Sequence, residues 1–533
     1  MGIFRDVRAA LPPLAWLLEI DGDPGRHRLI CGSSVTLSNE AFFEGCWPGD
    51  YRAMDFAARP EAFGSGGILQ ADGWTIVTPS HTLEAVFCCR DGSKLFLSNA
   101  LPFLLAHRGD SLDPEFSGYH RAFFDIAGGI EHSPIRIPSR RCSEIHGYFF
   151  DNLVIDPQLE VHVRPKPISP GFANFHDYRG YLVRVVEATL ANAADPLRPA
   201  PYRPLSTISR GYDSATCTAI AREAGCQEAV TLAYARRAFG KIDPDSGEEI
   251  AKALGLAVTV LDRDAYLKRS ELVTPEAEFI SHGLEGTDVN YLAFEPILEH
   301  RVLFTGSHGD TMWDMHKAPC AALKRGDLSS GSLGEFRRRV DFFHVPLPYV
   351  GALRHADVAA ISNSPELAPY SIGGDYDRPI SRRILEEAGV PRNAFGMSKK
   401  ATAITFFGFQ PGLTERLTES TRRGLDAFAR NWRLSLRTRL RLRRNALVEF
   451  LVAFTRLVEK KTHLVRIIGL EKQLEDLLHT LDIGSMDTPT TALALHWAMS
   501  VMIERYARAE AGASERGATA ELSQPEPRAL TVG

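Results

Sequence analysis

The pattern of apolar and polar positions divides the chain near residue 172. Up to that point, short alternating runs are separated by glycine- and proline-rich turns, as in RHRLICGSSVTL, GWTIVTP and EVHVRP. Such runs predict a mainly antiparallel β domain with few helices. Beyond it, apolar runs such as LSTIS, EAVTLAY and AVTVLDR alternate with helical stretches. That rhythm predicts βαβ units and a parallel sheet, so the fold class is α/β.

The remaining stretches complete the predicted organisation. A proline-rich segment, RPKPISPGFANFHD, reads as the linker between the two parts, and the chain beyond about residue 375 reads as mostly helical. A chain of 533 residues is too long for one core. We therefore predict a domain over 1–172, a second domain over 173–508 and a disordered tail over 509–533.

Composition and charge exclude several classes of protein. The formal net charge of −5 argues against a general nucleic-acid or membrane binder, and no apolar run reaches transmembrane length. Eight scattered cysteines without a CxxC pair indicate reduced thiols in a cytoplasmic protein. The basic run WRLSLRTRLRLRRNALVEF has apolar residues at helical spacing, which favours an amphipathic helix over a nucleic-acid site.

One turn, SRGYDS, concentrates groups that can hold an anion between a predicted strand and a predicted helix. Gly211 permits close backbone approach, and Ser209 and Ser214 offer hydroxyl donors. Asp213 either caps the helix or holds a metal ion. The turn lacks the GxxxxGK[ST] pattern of a Walker loop. On these residues alone, ordinary helix capping and an anion site are both open.

The turn SRGYDS resembles the SGGxDS pyrophosphate-binding loop of the asparagine synthetase family. Further segments follow in the family's order: VTLAYARRAFGKIDPDSGEEIAKALG, HRVLFTGSHGDTMWD, RPISRRILEEAGVPRNAFGMSKKATA and TALALHWAMSVMIERYAR. The resemblance covers about residues 175–508 and implies a parallel-sheet PP-loop synthetase domain with a helical C-terminal part. It implies ATP and Mg²⁺ as cofactors. The nucleotide-binding set that it implies is Ser209, Gly211, Asp213, Ser214, Leu232, Gly306 and Ser307.

The same resemblance implies the metal ligands and a catalytic lysine. Asp213 and Asp310 would share Mg²⁺ at the ends of two strands. Lys399 is the position that best matches the family lysine near the substrate, with Lys400 as its alternative. The role implied for this lysine is to stabilise charge as an amine attacks an activated acid.

The N-terminal domain resembles the family's glutamine-hydrolysing domain more loosely. In the family this is an αββα, Ntn-hydrolase-like domain whose catalytic cysteine becomes the first residue after methionine removal. Here Gly2 stands at that position, so we expect a degenerate class II glutamine amidotransferase-like domain without a thiol nucleophile. An unrelated β-rich scaffold is the alternative.

Several positions depart from the family pattern. Arg210 stands where the family has a glycine, Ser307 and Thr311 replace two glutamates, and His308 replaces a glycine. We favour a catalytic role for Arg210, in which its guanidinium holds an anion in the site. The alternatives are that Arg210 plugs the pyrophosphate pocket or points to solvent.

The predicted function is an ATP-dependent, AMP-forming carbon–nitrogen ligase that adenylates a carboxylate and forms an amide-type bond without glutamine hydrolysis. Its expected partners are a small-molecule or peptide carboxylate and an amine donor, without nucleic acid or membrane, and a homodimer is one expected assembly. Family relatives that lack the cysteine include β-lactam synthetases and lasso-peptide macrocyclases, which suggests specialised biosynthesis. The alternative is a non-catalytic nucleotide-binding or scaffold pseudo-synthetase.

Overall fold

Three large sheets organise the chain, two in its first 164 residues and a parallel one after them. The computed structural model describes residues 3–22, 27–142, 144–236, 242–325, 329–396, 416–462 and 487–512. Within these residues the protein is of mixed α/β type, as the sequence predicts. No helix in the described ranges is both long enough and apolar enough to cross a membrane.

The N-terminal region contains a seven-stranded and a six-stranded sheet. In the first sheet, the edge strand pairs in parallel with its neighbour and the other pairs are antiparallel; in the second, all pairs are antiparallel. The elements are β1 Ile3–Val7, β2 Trp16–Asp21, β3 His27–Cys31, β4 Thr36–Leu37, β5 Ala41–Cys46, β6 Phe63–Gln70, β7 Gly73–Val77, β8 Val86–Asp91, β9 Lys94–Ser98, α1 Leu101–His107, α2 Tyr119–Phe124, β10 Ile135–Ile137, β11 Ile145–Tyr148, β12 Asn152–Ile155 and β13 Val161–Arg164. The sheet orders are β1-β3-β2-β9-β8-β11-β10 and β13-β12-β7-β6-β5-β4.

The two sheets pack face to face because alternate residues of each strand point to opposite sides. In β2, Trp16 and Leu18 face the core between the sheets, where they meet Trp74 of β7. Leu17 points the other way, into a core that also contains Phe103 of α1. Both faces of this strand are therefore buried.

The second region is built on a five-stranded parallel sheet. Its elements are α3 Phe175–Ala193, β14 Arg203–Thr207, α4 Tyr212–Glu223, β15 Glu228–Leu232, β16 Tyr234–Arg236, β17 Ile242–Pro244, α5 Glu248–Ala253, β18 Ala257–Leu261, α6 Ala277–Ile280, β19 Arg301–Thr305, α7 Gly309–Met312, α8 Gly334–Val340, β20 Phe343–Pro346, α9 His355–Ser362, α10 Pro379–Glu387, α11 Glu419–Asn431, α12 Leu436–Thr462 and α13 Pro489–Glu510. The sheet order is β18-β15-β14-β19-β20, and β16 and β17 form a separate antiparallel pair.

The strand order of the parallel sheet creates a switch point. The chain runs outward from β14 through β15 to β18 and then returns to place β19 on the other side of β14. In open parallel sheets, the crevice outside the carboxyl ends of the strands at such a point is the usual ligand site. The sheet is covered on both faces, since Leu303 packs into one core while Val302 and Phe304 pack into another.

Two boundaries differ slightly from the sequence prediction. Helix α3 begins at Phe175, inside the predicted linker, because Asn174 caps it by accepting a hydrogen bond from the backbone of Asp177. Helix α13 continues to Glu510, inside the predicted tail, and residues 513–533 lie outside the described part. The tail therefore remains a prediction.

Candidate active site

A cavity of about 190 Å³ lies at the switch point of the parallel sheet. It is formed by the turn after β14, the end of β15, the turn after β19, Asp245 and three further segments within residues 288–294, 329–330 and 376–378. The residues that line it are Thr207, Ile208, Ser209, Gly211, Asp213, Ser214, Val230, Thr231, Leu232, Asp245, Asp288, Asn290, Tyr291, Phe294, Thr305, Gly306, Ser307, His308, Asp310, Ser329, Ser330, Tyr376 and Arg378.

The first turn, residues 209–214, is held by its own serines. The Ser214 hydroxyl accepts from the backbone N–H of Ser209 at 3.0 Å and lies 2.8 Å from the Ser209 hydroxyl. The Ser209 hydroxyl in turn accepts from the backbone of Gly211 at 3.2 Å. Helix α4 starts after Gly211 without a side-chain cap. The twelve-residue helix therefore presents its positive end to the cavity.

The second turn, residues 306–310, approaches the first so closely that only glycine fits at two positions. A Cβ on Gly306 would lie 2.6 Å from the backbone nitrogen of Ser214, and one on Gly309 would lie 2.6 Å from Oδ1 of Asp213. Between them, His308 has a left-handed backbone with φ of 77°. Its ring stacks on Tyr349 at 4.5 Å, which fixes this turn against a buried wall.

A buried arginine, Arg378 at the start of the RPISRRILEEAG segment, completes this end of the cavity, although the sequence had indicated no role for it. Arg378 is 1% exposed and forms an ion pair with Oδ1 of Asp213. It lies 5.0 Å above the ring of Tyr376, whose burial raises the tyrosine pKa to about 12. Burial opposes the charge of Arg378, but Asp213, Tyr376 and Asp310 hold its pKa above the ordinary value. Arg378 is therefore a permanent cation within the cavity.

Another part of the cavity wall is polar, and its buried carboxylate accepts several hydrogen bonds. The buried carboxylate of Asp288 accepts from the backbones of Ser330 and Ser332 at 2.7 and 3.0 Å and from the Ser332 hydroxyl at 2.8 Å. Burial raises the pKa of Asp288, and these hydrogen bonds work against that rise. The Ser330 hydroxyl also bonds to that of Ser307 in the second turn. These hydrogen bonds fix the residues of this wall relative to the second turn.

The structure brings most of the predicted site residues together. Each of the following lines the cavity: Ser209, Gly211, Asp213, Ser214, Leu232, Gly306, Ser307 and Asp310. They come from the carboxyl ends of three neighbouring parallel strands, which explains why residues a hundred positions apart meet.

Arg210 lies elsewhere. Its guanidinium donates to Glu249 of α5 at 3.1 Å, and the two side chains are 45% and 56% exposed. It does not line the cavity. Of the three interpretations of Arg210, the solvent-facing one describes its position, because the turn directs this side chain outward. The structure does not place this guanidinium in the cavity lining, and the catalytic role expected for Arg210 stays a prediction.

Lys399 and its alternative Lys400 lie outside the described residues, and so does Gly2. Around the N-terminal sheets, burial raises the pKa of the Cys31, Cys46 and Cys89 thiols to about 12. These three thiols are therefore protonated at neutral pH.

The predicted magnesium ligands do not fit a metal site of the protein's own. The carboxylate of Asp213 is already paired with the guanidinium of Arg378, and Asp310 also faces this cation. Among the described residues, no group of three or more His, Cys, Asp or Glu side chains could hold a metal ion. A fixed positive charge beside both carboxylates opposes a second cation there.

The fold and the cavity define a mixed α/β protein with a ligand crevice at the switch point of a parallel sheet. Neither the models of known protein families nor the sequences of curated proteins match this chain.

Proposed function

We propose that this protein is an ATP-dependent, AMP-forming ligase that activates a carboxylate and joins it to an amine. One observation carries the proposal. Residues of the SRGYDS turn and of the GSHGD turn line one cavity at the positive end of α4. The two turns are far apart in the sequence, since 97 positions separate Ser209 from Gly306. Such a helix end binds phosphate groups through its free N–H groups and its dipole.

The proposed chemistry has two steps. The carboxylate oxygen attacks the α-phosphorus of ATP, and the bond to the bridging oxygen breaks so that pyrophosphate leaves. The amine nitrogen then attacks the carbonyl carbon of the acyl-adenylate, AMP leaves and the nitrogen loses a proton. Both steps depend mainly on positioning and charge neutralisation. The helix end and the Arg378 cation support the first step, since pyrophosphate would develop its charge beside them.

The remaining parts of the proposal rest on the family resemblance. Leu232, at the end of β15, lines the cavity and would contact the adenosine. Lys399 would stabilise charge as the amine attacks. The N-terminal region would be a degenerate amidotransferase-like αββα domain, so the nitrogen would come from ammonia, an amine or the substrate's own amino group. Two sheets packed face to face support that assignment.

The test is exchange of labelled pyrophosphate into ATP across a panel of amino acids and short peptides as the acid. Calorimetry with ATP alone accompanies it. Binding together with acid-dependent exchange supports the ligase. The absence of ATP, AMP and pyrophosphate binding contradicts it.

A pseudo-synthetase is the second candidate, because Ser307 carries a neutral hydroxyl where the family has a glutamate and bonds to Ser330 within the cavity wall. ATP binding without exchange by any acid of the panel would favour this candidate. Steady release of glutamate from glutamine would instead contradict the degenerate assignment of the N-terminal region.

A further inference from the structure

Arg378 is buried within the cavity with most of its hydrogen-bonding capacity unused. A guanidinium carries five N–H donors. Among the described residues, Asp213 is its one hydrogen-bond acceptor, and the buried Nε has no partner. Buried donors without acceptors are costly, and native proteins rarely leave them so. A buried arginine in a cavity with spare donors indicates an anionic ligand.

The position of Arg378 is set by rigid elements rather than by a free loop. Its backbone caps helix α10, whose first residue is Pro379. Its guanidinium lies 5.0 Å from the ring centre of Tyr376 and 6.0 Å from that of Tyr212, at the start of α4. These contacts fix the cation beside the same helix end that faces the cavity.

Arg378 lies beside Asp213 and Asp310, the two carboxylates predicted to share a divalent cation. Asp213 contacts Arg378 directly, and the charge of Asp310 also stabilises the guanidinium. Among the described residues, the guanidinium offsets part of the charge of these two carboxylates and repels a second cation beside it, which weakens their attraction for Mg²⁺.

We propose that Arg378 takes the place of a protein-bound divalent cation and binds the pyrophosphate group of the nucleotide directly. This inference rests on the proposed function, which supplies the nucleotide. A guanidinium fork matches phosphate oxygens in a bidentate geometry. Asp213 is then a neighbour that orients Arg378 and competes with the phosphate for its donors, rather than a metal ligand.

The two assignments of Asp213 make opposite predictions. If Asp213 holds a metal ion that binds pyrophosphate, its replacement by asparagine abolishes binding. If it only competes for Arg378, the same replacement leaves binding intact or strengthens it, because the amide is a weaker acceptor for the guanidinium than the carboxylate.

The experiment is calorimetry with inorganic pyrophosphate and with ATP, each in EDTA and in Mg²⁺, on the full-length protein. We expect the parent protein to bind pyrophosphate in EDTA within about tenfold of its affinity in Mg²⁺. Arg378→Gln should weaken binding in EDTA at least about tenfold, because charged hydrogen bonds are lost. Asp213→Asn should bind in EDTA at least as tightly as the parent.

Arg383→Gln is the matched control. It removes the same charge from the adjoining helix, where the guanidinium bonds to Glu366 and Glu387 outside the cavity lining. Circular dichroism establishes whether each variant is folded. If Arg378→Gln does not fold, Asp213→Asn still tests the role of Arg378 independently.

The outcomes separate the inference from the proposed function. Parent binding that needs Mg²⁺, Asp213→Asn that fails to bind, or Arg378→Gln that binds in EDTA like the parent would each overturn the role of Arg378. ATP binding would still support the ligase in those cases. If the parent binds neither ATP nor pyrophosphate in either buffer, the proposed function itself fails.

Discussion

Two buried arginines, one at the contact between the two regions and one in the cavity, show how differently the same side chain is used. Arg337 of α8 is 2% exposed and donates to Glu44 and Glu84 of the N-terminal region through Nε and both terminal nitrogens. Arg378 is buried to the same degree but bonds to Asp213 alone among the described residues.

The difference lies in whether the donors are satisfied. A buried charge whose donors all have acceptors joins parts of a structure, and its partners are part of the fold. A buried charge with unused donors in a cavity is prepared for a ligand. Burial therefore does not distinguish Arg337 from Arg378, whereas the number of satisfied donors does.

The largest expected effect tests the structural side of this comparison. Arg337→Met would leave Glu44 and Glu84 buried with reduced compensation, so we expect it to lower the free energy of unfolding by about 3–5 kcal/mol. Urea unfolding of the full-length protein measures this. Arg423→Met is the control, since Arg423 and Glu419 are 74% and 71% exposed and such a pair contributes below about 1 kcal/mol. Equal stability of the two variants would contradict the structural role of Arg337.

The next effect concerns two neutral histidines near Arg337. Burial lowers the pKa of His344 to about 4 and that of His81 to about 3, with Glu84 opposing the shift and Arg337 assisting it. An unfolded histidine titrates near about 6.5, so the unfolded state binds more protons between that pH and about pH 4. Stability must therefore fall as the pH falls through this window.

Unfolding at about pH 7 and about pH 5 tests this expectation. When the pH is lowered from the first value to the second, the free energy of unfolding should fall less in His344→Gln than in the parent, by on the order of 2 kcal/mol. The reason is that the variant lacks one group that takes up a proton on unfolding. An equal loss in the parent and the variant would show that His344 does not contribute to the pH dependence.

Two glycines of the cavity, Gly306 and Gly211, differ in how much space a Cβ would have. Gly306→Ala would push a Cβ to 2.6 Å from backbone atoms of Asp213 and Ser214, so we expect a stability loss of about 1–3 kcal/mol and weaker pyrophosphate binding. Gly211→Ala meets its nearest atom at 3.4 Å, and Gly211 has φ of −74°, which any residue adopts. We expect little change there, and calorimetry that showed the opposite order would contradict this geometry.

The smallest effect belongs to Arg210. Its exposed pair with Glu249 is worth about 0–1 kcal/mol, so Arg210→Gly should change pyrophosphate binding very little. Calorimetry would show at least tenfold weaker binding if Arg210 held an anion, and tighter binding if it blocked the site. Either result would mean that the side chain leaves Glu249 when the ligand binds.

Much of the second region could be predicted because its local patterns are unambiguous. The runs LSTIS, EAVTLAY and AVTVLDR contribute to β14, β15 and β18, as their apolar character and flanking turns indicate. In the N-terminal region, β5 and β6 were not among the predicted strands. Gly66 of β6 is one reason, because glycine ordinarily argues against a strand. In the fold this glycine allows close packing, since a Cβ there would collide with the carbonyl of Phe42.

The sequence by itself determined the α/β type and the SRGYDS turn between a strand and a helix, whereas the second turn and its cavity residues were implied by the family resemblance. The α/β type and the first turn follow from local chemistry, since apolar periodicity sets the strands and a glycine- and serine-rich turn occurs where a strand ends. Only the tertiary structure decided which arginine enters the cavity. Arg210 lies within the recognisable turn, yet its side chain points to solvent. Arg378 is 165 positions from Asp213, and although it opens the RPISRRILEEAG segment, the resemblance implied no role for it. Its place depends on how α10 packs against α4, and such long-range packing leaves no local trace in a single sequence.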